Sequence, residues 1–163
     1  MAATDGPAVT LFTAPKAFVG DAARSQRNAV WSWTNLGPEV EVILLGDEPG
    51  IEDASRELGT LHVPIVKRSP AGVPLLSDVF RIGQAHARGG CCVFVNADIV
   101  FGRDLLAAIR LTRAWSDRFL MVGQRWDAPI DHRIDELGAD WWQATRDRAL
   151  STGKLDSPLW IDY

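Results

Sequence analysis

Short apolar runs alternating with stretches of helical spacing constrain this 163-residue chain more than any other feature. The runs fall at 8–13, 40–45, 62–66, 91–96 and 119–123, and each is rich in Val, Leu, Ile or Phe. Between them, Ala29, Val30 and Trp33 share one helical face over 23–36, and Ile51, Ala54 and Leu58 recur at i, i+3, i+7 before Gly59. Leu75, Val79 and Ile82 mark a helix over 75–86, and Leu105, Leu106 and Ile109 mark another over 104–115. Strands separated by helices of this length need crossover connections, so the pattern predicts a three-layer α/β/α domain with a mostly parallel sheet. Pro64 lacks the N–H that an inner strand must donate, which puts the third run at a sheet edge or at a strand start. After residue 125 the pattern changes: Trp126, Trp141, Trp142 and Trp160 are spread through a polar segment with one further helix near 135–150.

The length predicts a single domain over 1–163. A formal charge of −4 and 23% charged residues offer no basic stripe for a nucleic-acid backbone, so no nucleic acid is expected as a partner. An anionic substrate would meet a weakly repulsive field and would need local donors or a bound cation. The start carries no cationic and apolar leader, and no run approaches the ~18 apolar residues of a membrane span. Cys91 and Cys92 are adjacent in a predicted strand and point to opposite faces, which excludes a disulfide and predicts reduced, buried thiols in the cytoplasm. Neither a Gly-X-Gly-X-X-Gly turn nor a P-loop is present. His62, His86 and His132 lie too far apart in sequence to suggest zinc or a Cys/His nucleophile.

What remains is carboxylate chemistry. Asn96 and Asp98 stand at i, i+2 where the fourth apolar run ends, and ligands in open α/β sheets bind at such carboxyl ends of strands. Mg2+ or Mn2+ takes one or two protein carboxylates and completes its shell with water and substrate phosphate, which suits so sparse a pair. The alternative is an Asx turn or helix cap, with the side chains closing on nearby backbone N–H groups.

Phe94-Val95-Asn96-Ala97-Asp98-Ile99-Val100, led in by a helix and Gly89-Gly90, resembles the Asp-X-Asp strand end of GT-A glycosyltransferases, the nucleotide-diphospho-sugar transferases. The strand and helix order is similar too, with Val9 to Pro15 matching the donor-binding first strand and Gly123 to Asp127 the stretch after the fifth. The tail from Gly153 to Tyr163 resembles the segment that precedes a further acceptor-side strand. The resemblance implies a donor-binding half over about 8–125 and a partial, C-terminally short acceptor side over 126–163. It further implies a nucleotide-diphosphate sugar as donor, with a divalent cation bridging its phosphates to Asp98. Asn96 departs from the family's first Asp; it keeps a carbonyl acceptor but removes one charge from the cation site.

By the same resemblance Thr13 and Ala14 fall near the base and Asp47 at the nucleoside. Arg125 would clamp the diphosphate, and Asp127 or Asp162 would serve as general base toward an unspecified acceptor. Asp78, with Ser77, faces the ligand edge if its helix starts near Leu75. Structural alternatives stand beside these readings: a turn at Asp47, a cap at Thr13 or Asp78, and an ion pair of Arg125 with Asp127 or Asp131. Arg24, Arg27 and Asn28 on the first helix could reach a phosphate, but an exposed polar helix face explains them without a ligand. Three function classes follow: sugar transfer, a non-catalytic nucleotide or nucleotide-sugar binding module, and a nucleotidyltransferase, for which only Lys16 offers a basic first-loop residue. An open strand edge in a shortened domain would favour a homo-oligomer.

Overall fold

The computed structural model describes residues 8–157. Four parallel strands form the sheet: β1 (Val9–Thr13), β2 (Val40–Leu45), β3 (Leu61–Val63) and β4 (Cys91–Phe94). They are joined by α1 (Gly20–Thr34), α2 (Ile51–Leu58) and α3 (Leu76–His86), and α4 (Asp104–Trp115) follows β4. Because the pleat alternates, Val9, Leu11, Val42, Leu44 and Val95 pack toward Trp33 of α1, Ile51 of α2 and Leu105 of α4. Phe12, Ile43 and Leu45 face the other way, onto Val79 and Ile82 of α3. The result is three layers, α/β/α, as the alternation of runs predicts. On the α3 side the approach is close enough that a Cβ on Gly83 would collide with the Phe12 ring.

Strand order is β3-β2-β1-β4. The chain steps outward from β1 to β3, then returns to lie on the opposite side of β1 as β4. That reversal between β1 and β4 is where open α/β sheets part their loops into a crevice. Pro64 directly follows β3, an edge strand three residues long, in keeping with its missing donor.

The predicted strand over 119–123 does not form. Leu120 is 91% and Val122 53% exposed, and only Met121 of this run packs on the core. The run has strand composition but finds no backbone partner, so among the described residues the outer edge of β4 stays unpaired. Cys92 is consequently exposed and Cys91 only half-buried, a correction to the expectation of two buried thiols. The chain instead continues to β5 (Trp126–Asp127), a 3-10 segment Ile134–Asp140, α5 (Trp141–Thr152) and β6 (Lys154–Leu155), which pairs antiparallel with β5. The single helix expected near 135–150 is thus a 3-10 segment, itself kinked at Gly138 with a left-handed φ of 67°, followed by α5. No described helix is long and apolar enough to cross a membrane.

At the opposite end of the sheet from the crevice, Glu41 is 8% exposed on β2. Its carboxylate accepts from Thr10 Oγ1 at 2.6 Å and from Arg88 Nε at 2.7 Å, tying β1 to the loop before β4. Burial pushes this carboxyl up, but the hydrogen bonds from Thr10 and Arg88 outweigh it and hold it below the usual range. With the folded value depressed, the stabilisation is complete at neutral pH and is lost as pH falls through that value. Glu41→Gln is expected to destabilise by about 1.5–3 kcal/mol at neutral pH. In urea unfolding the gap to the native protein should close below about pH 4; a gap that persisted in acid would contradict this account.

Candidate functional site

A cleft of about 940 Å³ opens at the carboxyl ends of β1 and β4. Ala14 and Lys16 enter it from the loop after β1, and Asn96, Ala97 and Asp98 from the loop after β4. The opposite wall is one face of α5, where Trp142, Thr145, Arg146, Ala149 and Leu150 recur at helical spacing, together with the segment from Met121 to Ala128.

The β4 loop is held rigidly. Val95 N–H reaches Phe12 O at 3.3 Å, extending the strand pairing by one residue, and Ile99 N–H closes a turn on Asn96 O at 3.2 Å. Trp33 of α1, fully buried, donates its indole N–H to Ile99 O at 2.8 Å, and Ser32 Oγ accepts from Phe101 N–H at 3.1 Å. Asp98 stands at the third position of this turn, exposed and facing the cleft. Its carboxylate makes no hydrogen bond or ion pair among the described residues. The Asx-turn alternative for Asp98 therefore lacks the backbone contact that would define it. Asn96 is also exposed and lines the cleft two residues away.

The β1 loop is fixed by a residue that sequence reasoning missed. Gln26 is 4% exposed; its Oε1 accepts from Lys16 N–H at 2.8 Å and its Nε2 donates to Lys16 O at 3.0 Å. The signal was legible, because Gln26 lies three, four and seven residues before Ala29, Val30 and Trp33 and so shares their buried face. Asn28 is likewise not part of an exposed polar face: it is 4% exposed, donates to His132 O at 2.8 Å and accepts from Ile134 N–H at 3.2 Å. These two amides bind both irregular segments to α1.

Other expected site residues are placed elsewhere. Thr13 is buried at the end of β1 and does not line the cleft, whereas its neighbour Ala14 does. Asp47 lies outside the cleft on the surface, paired with Arg68 at 2.6 Å, which holds its carboxyl below the usual range. Asp78 is buried under the loop before α3; it accepts from Lys67 N–H at 2.7 Å and pairs with Arg81, and both lower its carboxyl. The structural alternatives thus describe Asp47 and Asp78. Arg125 and Asp127 do line the cleft, but they pair with each other at 2.7 Å, and Arg125 also holds Asp156 at 3.0 Å. Asp162 lies outside the described residues.

Among the described residues no three His, Cys, Asp or Glu side chains converge as a metal cage. Mg2+ or Mn2+ does not need one: an open, unpartnered carboxylate at Asp98 with the Asn96 amide nearby suits an ion that draws its remaining ligands from water and phosphate. No protein-family model matches the chain, and no curated protein matches it. The chemical reading therefore rests on the cleft.

Proposed function

We propose that the protein is a GT-A-like glycosyltransferase, binding a nucleotide-diphosphate sugar across the β1 and β4 loops and transferring the sugar to an acceptor with the help of a divalent cation. The observation that carries this reading is Asp98: a carboxylate with no partner among the described residues, at the strand-order reversal, facing an open cleft large enough for a nucleotide. Asp98 would hold the cation, with Asn96 contributing its carbonyl. A bound cation of this kind supplies positive charge to the departing diphosphate. The chain's own part is positioning: Trp33 and Ser32 fix the turn that aims Asp98, and Gln26 fixes the backbone at Lys16. Trp142 lies so close over Gly102 that a Cβ there would collide with the indole, which sets the width of the cleft on the α5 side.

A second reading, a nucleotide-sugar binding module without turnover, is favoured by one observation. Asp127, a candidate general base, is engaged by Arg125. The open edge of β4, with Leu111, Trp115 and Leu120 exposed, supports self-association.

Titration calorimetry with a panel of nucleoside diphosphates and their sugar conjugates, with and without Mn2+, tests the main reading. Binding of one nucleotide that tightens when Mn2+ is added is the expected result, and no binding by any of them would overturn both readings. Sugar release or transfer, followed on the ligand that binds, separates the enzyme from the binding module.

A further inference from the structure

The cleft is lined by three cationic side chains, Lys16, Arg125 and Arg146. Arg125 is engaged by Asp127 and Asp156. Lys16 and Arg146 are exposed, and their side chains make no ion pair or hydrogen bond among the described residues. Elsewhere on this surface arginines pair freely, as Arg56 does with Glu52 and Asp53, and Arg133 with Asp135. Other basic side chains, such as Arg103, are likewise unengaged among the described residues, but Lys16 and Arg146 are the two of these that line the cleft.

Neither is placed by chance of a loose loop. Lys16 follows the buried Pro15, and its backbone N–H and C=O are both bonded to the buried Gln26. Arg146 sits at the middle of the α5 face that lines the cleft, between Trp142 and Leu150. Arg148, two residues on, bonds Pro129 O at 2.6 Å and approaches Asp131. The opposing acids in the cleft have separate employment: Asp104 opens α4, where a carboxylate favours the helix dipole, and Asp98 is the cation ligand proposed above.

We infer that Lys16 and Arg146 form a cationic clamp for a diphosphate group, so that the cleft binds the diphosphate through protein charges even without a metal ion. The inference rests on the nucleotide-diphosphate reading of the cleft but makes a separate claim about where its affinity comes from. The Asp98 and Asp104 carboxylates on this cleft oppose a bare polyanion, and the two unengaged cations offset that repulsion through charge-assisted hydrogen bonds. Arg146 offers a planar fork of donors and Lys16 a mobile point charge, a division suited to two adjacent phosphoryl groups.

Inorganic pyrophosphate is the probe, titrated by calorimetry into the whole protein in the presence of EDTA. The native protein is expected to bind it, Lys16→Met and Arg146→Met each to weaken binding by about tenfold, and the double variant to lose it. Lys16→Arg should bind nearly as well as the native protein, and Arg103→Met, outside the cleft, should change nothing. All the substituted side chains are exposed, so thermal unfolding should be unaltered. Undiminished binding by the double variant, or binding that appears only when Mn2+ is added, would overturn the clamp. The two proposals fail separately: pyrophosphate binding without any nucleotide binding sinks the sugar-donor reading alone, whereas manganese-dependent nucleotide binding that survives the double variant sinks the clamp alone.

Discussion

Trp33→Ala is expected to destabilise the protein by about 3–5 kcal/mol, the largest effect of any single substitution considered. Trp33 is fully buried at the centre of the α1 layer, packed against Phe101 and among the aliphatic side chains of β1, β2 and α4. Its removal leaves a cavity and strips Ile99 O of its buried donor. For a domain of this size the melting temperature should fall by roughly 6–20 °C. Trp33→Phe separates the two contributions: it keeps most of the volume and loses the N–H, and about 1–2 kcal/mol is expected. Differential scanning calorimetry reads both. Equal costs for Ala and Phe would show that the hydrogen bond, not the packing, dominates. Because Ile99 closes the turn that carries Asp98, Trp33→Phe should also weaken nucleotide binding, although residue 33 lies in the core.

Asp98→Ala should behave in the opposite way. Its carboxylate has no partner among the described residues, so nothing in the fold depends on it, and unfolding should shift by no more than about 0.5 kcal/mol. If the cleft is a cation-assisted transfer site, turnover should fall by about 10²–10³-fold, the scale of losing one preorganised electrostatic contact to a departing oxyanion. Asp98→Asn keeps the shape and removes the charge, and it should fall nearly as far. Loss of stability together with activity would mean that Asp98 is a turn residue. Unchanged turnover would mean that the leaving group is stabilised elsewhere.

The layers were legible because their signals are local. Ile51, Ala54 and Leu58 gave α2 its bounds together with Gly59, which takes φ 68° just past the last helical residue. Likewise Leu105, Leu106 and Ile109 marked α4 over Asp104–Trp115. The run at 119–123 misled because an apolar composition describes a segment that fits a sheet, not one that finds a partner strand, and pairing is a non-local event. At the site, Asp98 was legible from its position after an apolar run. Asp47 and Asp78 were not separable from it on that criterion, since each also follows or precedes an apolar element. What distinguishes them is Arg68 in one case and Lys67 N–H in the other, partners between 11 and 21 residues away. The same limit hid the role of α5: the segment leading into it is bound to α1 by Asn28, through His132 O and Ile134 N–H, contacts spanning over a hundred residues.

Crystals of the protein grown with Mn2+ and a nucleoside diphosphate, measured at a wavelength where manganese scatters anomalously, test the central claim most directly. The account predicts an anomalous peak within ~2.0–2.3 Å of a carboxylate oxygen of Asp98, bridged to the diphosphate in the cleft between β1 and β4. A nucleotide bound away from this cleft, or a manganese ion that ignores Asp98 while the nucleotide is present, would contradict it.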